Sequence, residues 1–313
     1  MEPSVQKLFF NLDTPYVDPE SPTTSHYFVD ISQCVSIMNR RFYRQGLQWA
    51  VAGIKVYDVD SAVYFVNKLP ETWMFANGWE KTFRAWDRQQ REALEDGDQD
   101  GVRARFNDFK IFANKRHLLN GISRNLRPVD GTGDTKALAG EWEASQIVIP
   151  NFGAPGVNYE PYLMGVGPNV GGTGGAYSII QLYEDSRATP QSPDPSVPAD
   201  VTNNNNILNL LFDVGDNNQD VMLNAVGKNN DLPYVQEDYP GGVIQLPDLQ
   251  RHAIGYVTSS TVGGRTNFDG GLFPCGLIEI IRKGGASASV PGLEIMLVPG
   301  SHRGYMAESM LEM

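Results

Sequence analysis

At 313 residues, with 41% hydrophobic and 20% charged side chains, the chain has a globular composition and is long enough for one large β domain or two ordinary ones. Its 32 glycines and 20 prolines favour many turns and a β-rich fold, while the absence of any apolar run near 18 residues, or of a charged leader in MEPSVQKLFF, argues against a membrane span and a secretory signal. The net charge of −12 lies in the second part: residues 1–136 hold 18 basic and 18 acidic side chains, leaving 7 (25 − 18) and 19 (37 − 18) for 137–313, a surface that repels phosphate unless cations or a local basic patch intervene.

Residues 1–24 are rich in Pro and Thr, lack periodicity and read as an N-terminal arm or loop, which leaves 25–313 as a single domain. Residues 26–31 (HYFVDI) alternate as a strand does. Residues 32–41 fit a short helix, capped by Asp30 or Ser32, with Cys34, Val35 and Met38 as its apolar face. After Gly46, residues 47–58 suit a strand buried on most of both faces. Residues 62–67 are expected to pair with it antiparallel through a hairpin at 59–61. Residues 77–96 read as a helix with Asn77 as cap and Glu80 completing a capping box. Trp79, Phe83, Trp86 and Leu94 form its core stripe, and Lys81, Arg84, Arg88 and Arg91 line another side. Alternation returns at 105–113, and further strands are expected at 145–149, 176–183, 220–226, 252–259, 276–282 and 293–298. The loop 184–206, with four consecutive asparagines, reads as a surface excursion within one domain. Eight or so strands with uneven loops give a mainly β sandwich or barrel; Cys34 and Cys275 read as buried free thiols.

Three runs in the first part, NRRFYRQGLQWAVAGIKVY, NKLPETWMFANGWEKTFRAW and RFNDFKIFA, and the tail LVPGSHRGYMAE, resemble the capsid (coat) proteins of small circular Rep-encoding single-stranded DNA (CRESS-DNA) viruses. The resemblance implies a single jelly-roll β-sandwich of antiparallel strands with one or two inserted helices. It also implies a virion protein, made in the host cell, that self-assembles as a homo-oligomer of 60 copies or a multiple. The icosahedral shell would enclose single-stranded DNA and meet a host receptor, without membrane insertion. Many such capsids begin with an arginine-rich arm. This sequence departs from that pattern, since Lys7 is the only basic residue in the first 39.

No Gly-x-Ser-x-Gly elbow or His-Glu-x-x-His run is present, so no catalytic residues are assigned. His26, His117, His252 and His302 stand apart and read as structural hydrogen-bonders. The loop 165–175 (GVGPNVGGTGG) lacks the Gly-Lys-Ser/Thr ending of a P-loop. Asp96, Asp98 and Asp100, with Gly101, match the start of a calcium loop, but Asn107 stands where a bidentate Glu belongs. A solvated acidic turn and a divalent-cation (calcium) site both remain open, and no other cofactor is expected. Arg40, Arg41 and Arg44 interleave with Phe42 and Tyr43, and Lys115, Arg116, Arg124 and Arg127 form a second basic group. Arginine with aromatics suits single-stranded nucleic acid, whereas salt bridges to the acidic half of a neighbouring subunit are the alternative. Two further function classes stand beside the capsid reading. One is a carbohydrate-binding or adhesion module using Trp73 and Tyr159–Tyr162, and the other is a hydrolase using Glu141 and Glu143.

Overall fold

The structure, a computed structural model, describes residues 4–19, 21–97, 108–130, 135–149, 158–171, 175–188, 241–258, 264–284 and 290–310. The fold is mainly β, and its two five-stranded sheets are antiparallel throughout. The strands are β1 (Lys7–Asn11), β2 (Tyr16–Val17), β3 (Thr24–Asp30), β4 (Leu47–Tyr57), β5 (Ala62–Lys68), β6 (Tyr162–Met164), β7 (Ala176–Ser178), β8 (Gln250–Val257), β9 (Arg265–Phe273), β10 (Leu277–Gly284), β11 (Gly292–Leu297) and β12 (Ala307–Ser309). The helices are α1 (Ile31–Asn39), α2 (Trp73–Asp96), α3 (Lys115–Asn120) and α4 (Ile179–Ala188).

Sheet one runs β1-β11-β4-β9; Trp49 pairs with both Phe273 and Ala307, so β12 lies on the β11 side of β4. Sheet two runs β2-β3-β10-β5-β8. Among the strands of five residues or more, the pairings nest. The first pairs with the last (β1 with β11), the second with the seventh (β3 with β10), the third with the sixth (β4 with β9) and the fourth with the fifth (β5 with β8). A long antiparallel ribbon folded over itself gives this order, and the β11–β4 and β10–β5 pairings close it into two layers.

This arrangement corrects the expected β4–β5 hairpin. The short link crosses from one sheet to the other, so that both strands turn a face to the same core. Asp58 fixes the crossing. Its buried carboxylate accepts from the Asp60 amide and Tyr64 hydroxyl, and Arg282 Nε donates to it at 3.0 Å. The arm reading of residues 1–24 also gives way. β1 forms the edge of sheet one with Leu8 and Phe10 inward and Phe9 outward, and β2 and β3 follow in sheet two.

The main core lies between the sheets and includes Tyr27, Val29, Trp49, Ile54, Tyr64, Ile278, Ile280 and Ile295. The segment between β5 and β8 builds a second core around Trp79, Trp86, Phe109, Leu163 and Ile180, joined to the sandwich through Cys275, Leu277 and Met310. Both cysteines are buried and free. Asp30 caps α1 as expected, accepting from the Gln33 amide at 3.2 Å. α2 begins earlier than expected, because Met74 and Phe75 enter the second core and Thr72 takes the cap; Asn77 lies inside the helix, and Glu80 pairs with Arg84. Residues 108–113 hold only a bridge at Phe112, and 145–149 only bridges at Gln146 and Ile149. Residues 105–107 and 220–226 lie outside the described residues. The strand expected at 176–183 ends at Ser178, where α4 starts; Ile179 sits against Gly78 of α2, so burial sets the conformation.

α3 covers the outer face of sheet two. His117 stacks on Phe28 with centroids 4.5 Å apart. Its Nδ1 accepts from the Ala113 amide at 3.1 Å, so the proton sits on Nε2 and is donated to Asn125 Oδ1 at 2.8 Å. Burial lowers its pKa to about 4, against the opposing pull of Asn125 and the Glu279 charge. The folded value is depressed, so the stability it contributes is complete above 6.5 and is lost as pH falls toward 4. A decline of about 1.4 kcal/mol per pH unit is expected across that window. Melting temperature against pH checks this: His117→Gln flattens the decline, and a wild-type curve already flat there contradicts it.

Candidate nucleic-acid interface

The loop after α1 shows why its arginines face solvent. Asn39 ends the helix by donating to Val35 O and to the Tyr305 hydroxyl, at 2.9 and 2.6 Å. Arg40 then takes a left-handed conformation, φ 51°, with its amide on Ile37 O. Tyr43 turns inward, its amide on Ser36 Oγ at 2.9 Å, its hydroxyl on Arg303 O at 3.1 Å and its ring edge-on to Tyr305. With Tyr43 buried, Arg40, Arg41, Phe42 and Arg44 form an exposed ridge. No ion pair to these three arginines occurs among the described residues.

The C-terminal turn adds a fourth arginine. Arg303 is also left-handed, φ 51°, and its Nη1 donates to Phe42 O at 2.8 Å. Two of the three non-glycine residues at positive φ among the described residues are therefore arginines of this cluster. Such conformations are strained for side chains with a Cβ and persist where the surroundings impose them. Arg40→Gly is expected to raise stability by about 0.5–1 kcal/mol while weakening oligonucleotide binding. Denaturant midpoints and binding isotherms on one preparation check the pair of effects; a stability loss contradicts the strain argument.

Beneath the ridge lies a buried lysine. Lys110 Nζ sits 4.3 Å from the Trp142 ring centroid and 5.9 Å from that of Phe42, and pairs with Asp108. Burial lowers its pKa to about 8, although the charges of Asp30 and Glu143 support the ammonium. Trp142 Nε1 donates to Asp30 Oδ2 at 2.9 Å, and Gln45 donates to the same oxygen at 3.0 Å. Beside the ridge is a cavity of about 490 Å³ lined by Tyr43, Trp79, Phe83 and Phe109. Gly46 lies flat on its indole: a Cβ there would stand 2.6 Å from Trp79 Cζ2.

The second basic group is placed differently. Arg116 is committed, with Nε to Glu279 Oε1 at 2.9 Å and Nη2 to Asp248 Oδ2 at 2.6 Å. Lys115 and Arg124 are exposed, while Arg127 is half-buried and its Nε has no hydrogen-bond partner among the described residues. These residues lie on α3 and the turn after it, over sheet two, apart in the chain from the ridge. Asp96 ends α2, exposed; Asp98 and Asp100 lie outside the described residues. Among the described residues no group of three metal-ligating side chains is gathered, and no helix is long and apolar enough to cross a membrane. Glu141 and Glu143 are exposed on either side of buried Trp142, and Trp73 and Tyr159 are exposed singly. The four histidines are hydrogen-bonded within the fold: His26 to Glu279, His117 to Asn125, His252 to Asp269 O and His302, by its amide, to Tyr305 O.

Sequence reasoning found the ridge but missed Lys110, the cavity and the fourth arginine on the Arg303 turn. Tyr305 is packed, and Arg303 is hydrogen-bonded to the ridge at Phe42 O. The available signal was the Arg-Gly pair, a chain reversal that carries a cation. Comparison with protein-family models, curated proteins and solved structures finds no match to this chain.

Proposed function

We propose that the chain is a structural subunit that associates with copies of itself into a closed icosahedral shell around single-stranded DNA, the protein of a virion. The observation that carries this reading is the nested pairing of eight strands in two sheets. We read this order as that of a jelly roll, an architecture that viral coat domains share with lectins and cupins. The motif resemblance to coat proteins favours the first of these. The surface is compatible with it: Phe9, Val59, Leu138, Ile254, Tyr256 and Val290 are exposed among the described residues, apolar surface that contacts between copies would cover. Closure satisfies every such contact at once, so weak pairwise affinities give a cooperative particle. The ridge of Arg40, Arg41, Phe42 and Arg44 offers the local basic patch that a nucleic-acid strand needs on a chain of this charge.

Size exclusion with light scattering tests the reading. The expected result is a species in the megadalton range, present at once or reached as salt or pH is changed. A mass of one 34.6 kDa chain or a small oligomer under every condition contradicts it.

A further inference from the structure

We propose that the cavity between the 40–46 ridge, α2 and the 302–303 turn binds one nucleotide of a single strand. Its base enters the aromatic chamber and its phosphate sits on Arg44 and Arg303. The proposal rests on reading the ridge as a nucleic-acid face, and it adds a defined pocket to that face. At about 490 Å³ the space falls inside the usual range for small-ligand sites, roughly 300–1,000 Å³.

Three observations define the occupant. The walls are rings: Trp79 and Phe83 stack at 5.1 Å, Phe109 stands edge-on to both at 5.7 Å, and Tyr43 closes one side. Rings packed on one another give the chamber flat apolar walls suited to a flat aromatic group. Second, the ionisable side chains lining it among the described residues are Arg44, His302, Arg303 and the buried Tyr43, with no carboxylate among them. On a chain of net charge −12 this is a local reversal of sign, and it selects an anion. Third, Arg303 is held at φ 51° with Nη1 on Phe42 O, which fixes a guanidinium beside the chamber in a conformation glycine adopts more easily. A nucleotide joins a planar aromatic body to an anion, and guanidinium forks favour phosphate oxygens over a single carboxylate.

Calorimetry on the full chain tests this with four probes: deoxyadenosine monophosphate, deoxyadenosine, inorganic phosphate and N-acetyl-phenylalanine. The monophosphate is expected to bind at least tenfold more tightly than each of the others. Arg44→Gln, an exposed change, is expected to weaken it at least tenfold, and Arg265→Gln, exposed at the far end of β9, to leave it unchanged. Equal or tighter binding of N-acetyl-phenylalanine overturns the proposal in favour of a peptide carboxylate, and an Arg44→Gln variant that binds normally overturns it outright. Light scattering on the same samples separates the two readings. Shells that bind no monophosphate remove this site alone, and a chain that binds it without ever assembling upholds the site and removes the shell.

Discussion

Replacing Arg116 with Met is expected to destabilise the subunit by about 3 kcal/mol, the low end of the range for breaking a buried ion pair. Glu279 is fully buried in the middle of β10, in the run LIEIIRK. Burial alone raises a carboxyl pKa. Here hydrogen bonds from His26, Arg116 and Asn67, with the Arg116 charge, overcome it and hold Glu279 down to about 2. Arg116 reaches from α3 to β10 and to Asp248 ahead of β8, so one guanidinium ties the inserted segment to sheet two. Met leaves the carboxylate in place without its countercharge, and His26 and Asn67 keep the loss from reaching the upper end of the range. The depressed folded value means the contribution is complete above about 4.5 and disappears as pH falls toward 2. In Arg116→Met the folded value rises, so that acid decline shrinks. Adding Glu279→Gln is expected to recover part of the loss by removing the buried charge. Urea midpoints of the dissociated subunit measure both effects; a single variant within 1 kcal/mol of wild type refutes the argument.

The second large effect concerns DNA. Changing Arg40, Arg41 and Arg44 together to Gln is expected to remove most nuclease-protected nucleic acid from purified particles while leaving the shells intact. The three side chains are exposed and without ion pairs among the described residues. Losing them therefore leaves no buried charge behind. For single strands the slope of log affinity against log salt is roughly 0.7 per neutralised phosphate, so three contacts predict a slope shallower by about 2. Shells that fail to form in the triple variant place the arginines in subunit contacts instead. The same change in Lys115 and Arg124 is expected to have less effect, because the Arg116 between them already answers to Glu279 and Asp248.

Much of the sandwich could be read from side-chain alternation, and the exceptions have physical causes. HYFVDI, AVYFVN and the runs that became β8, β10 and β11 declared themselves because one face meets the core. β9 did not, because adjacent Gly270 and Gly271 break the pattern; the backbone there passes so near β4 that a Cβ at Gly270 would lie 2.3 Å from Val51 O. β1 was hidden by the Pro- and Thr-rich residues around a five-residue strand. The crossing after β4 was misread because short links favour hairpins, whereas the Asp58–Tyr64–Arg282 network that holds it joins residues more than 200 positions apart. α4 was misread because SIIQLY suits a strand and only its contact with α2 makes it helical.

The candidate site divides in the same way. Its arginines and Phe42 were legible as a cluster in one short run. The cavity was not, since it needs α2, Phe109 and the 302–303 turn to meet. Nor was the commitment of Arg116, which depends on a carboxylate 163 residues away.

Negative-stain electron microscopy of the purified protein tests the central claim most directly. Uniform hollow shells about 20 nm across, the size that sixty domains of this mass enclose, are the result expected. Fields of separate 34.6 kDa molecules across the full range of salt and pH would contradict the account.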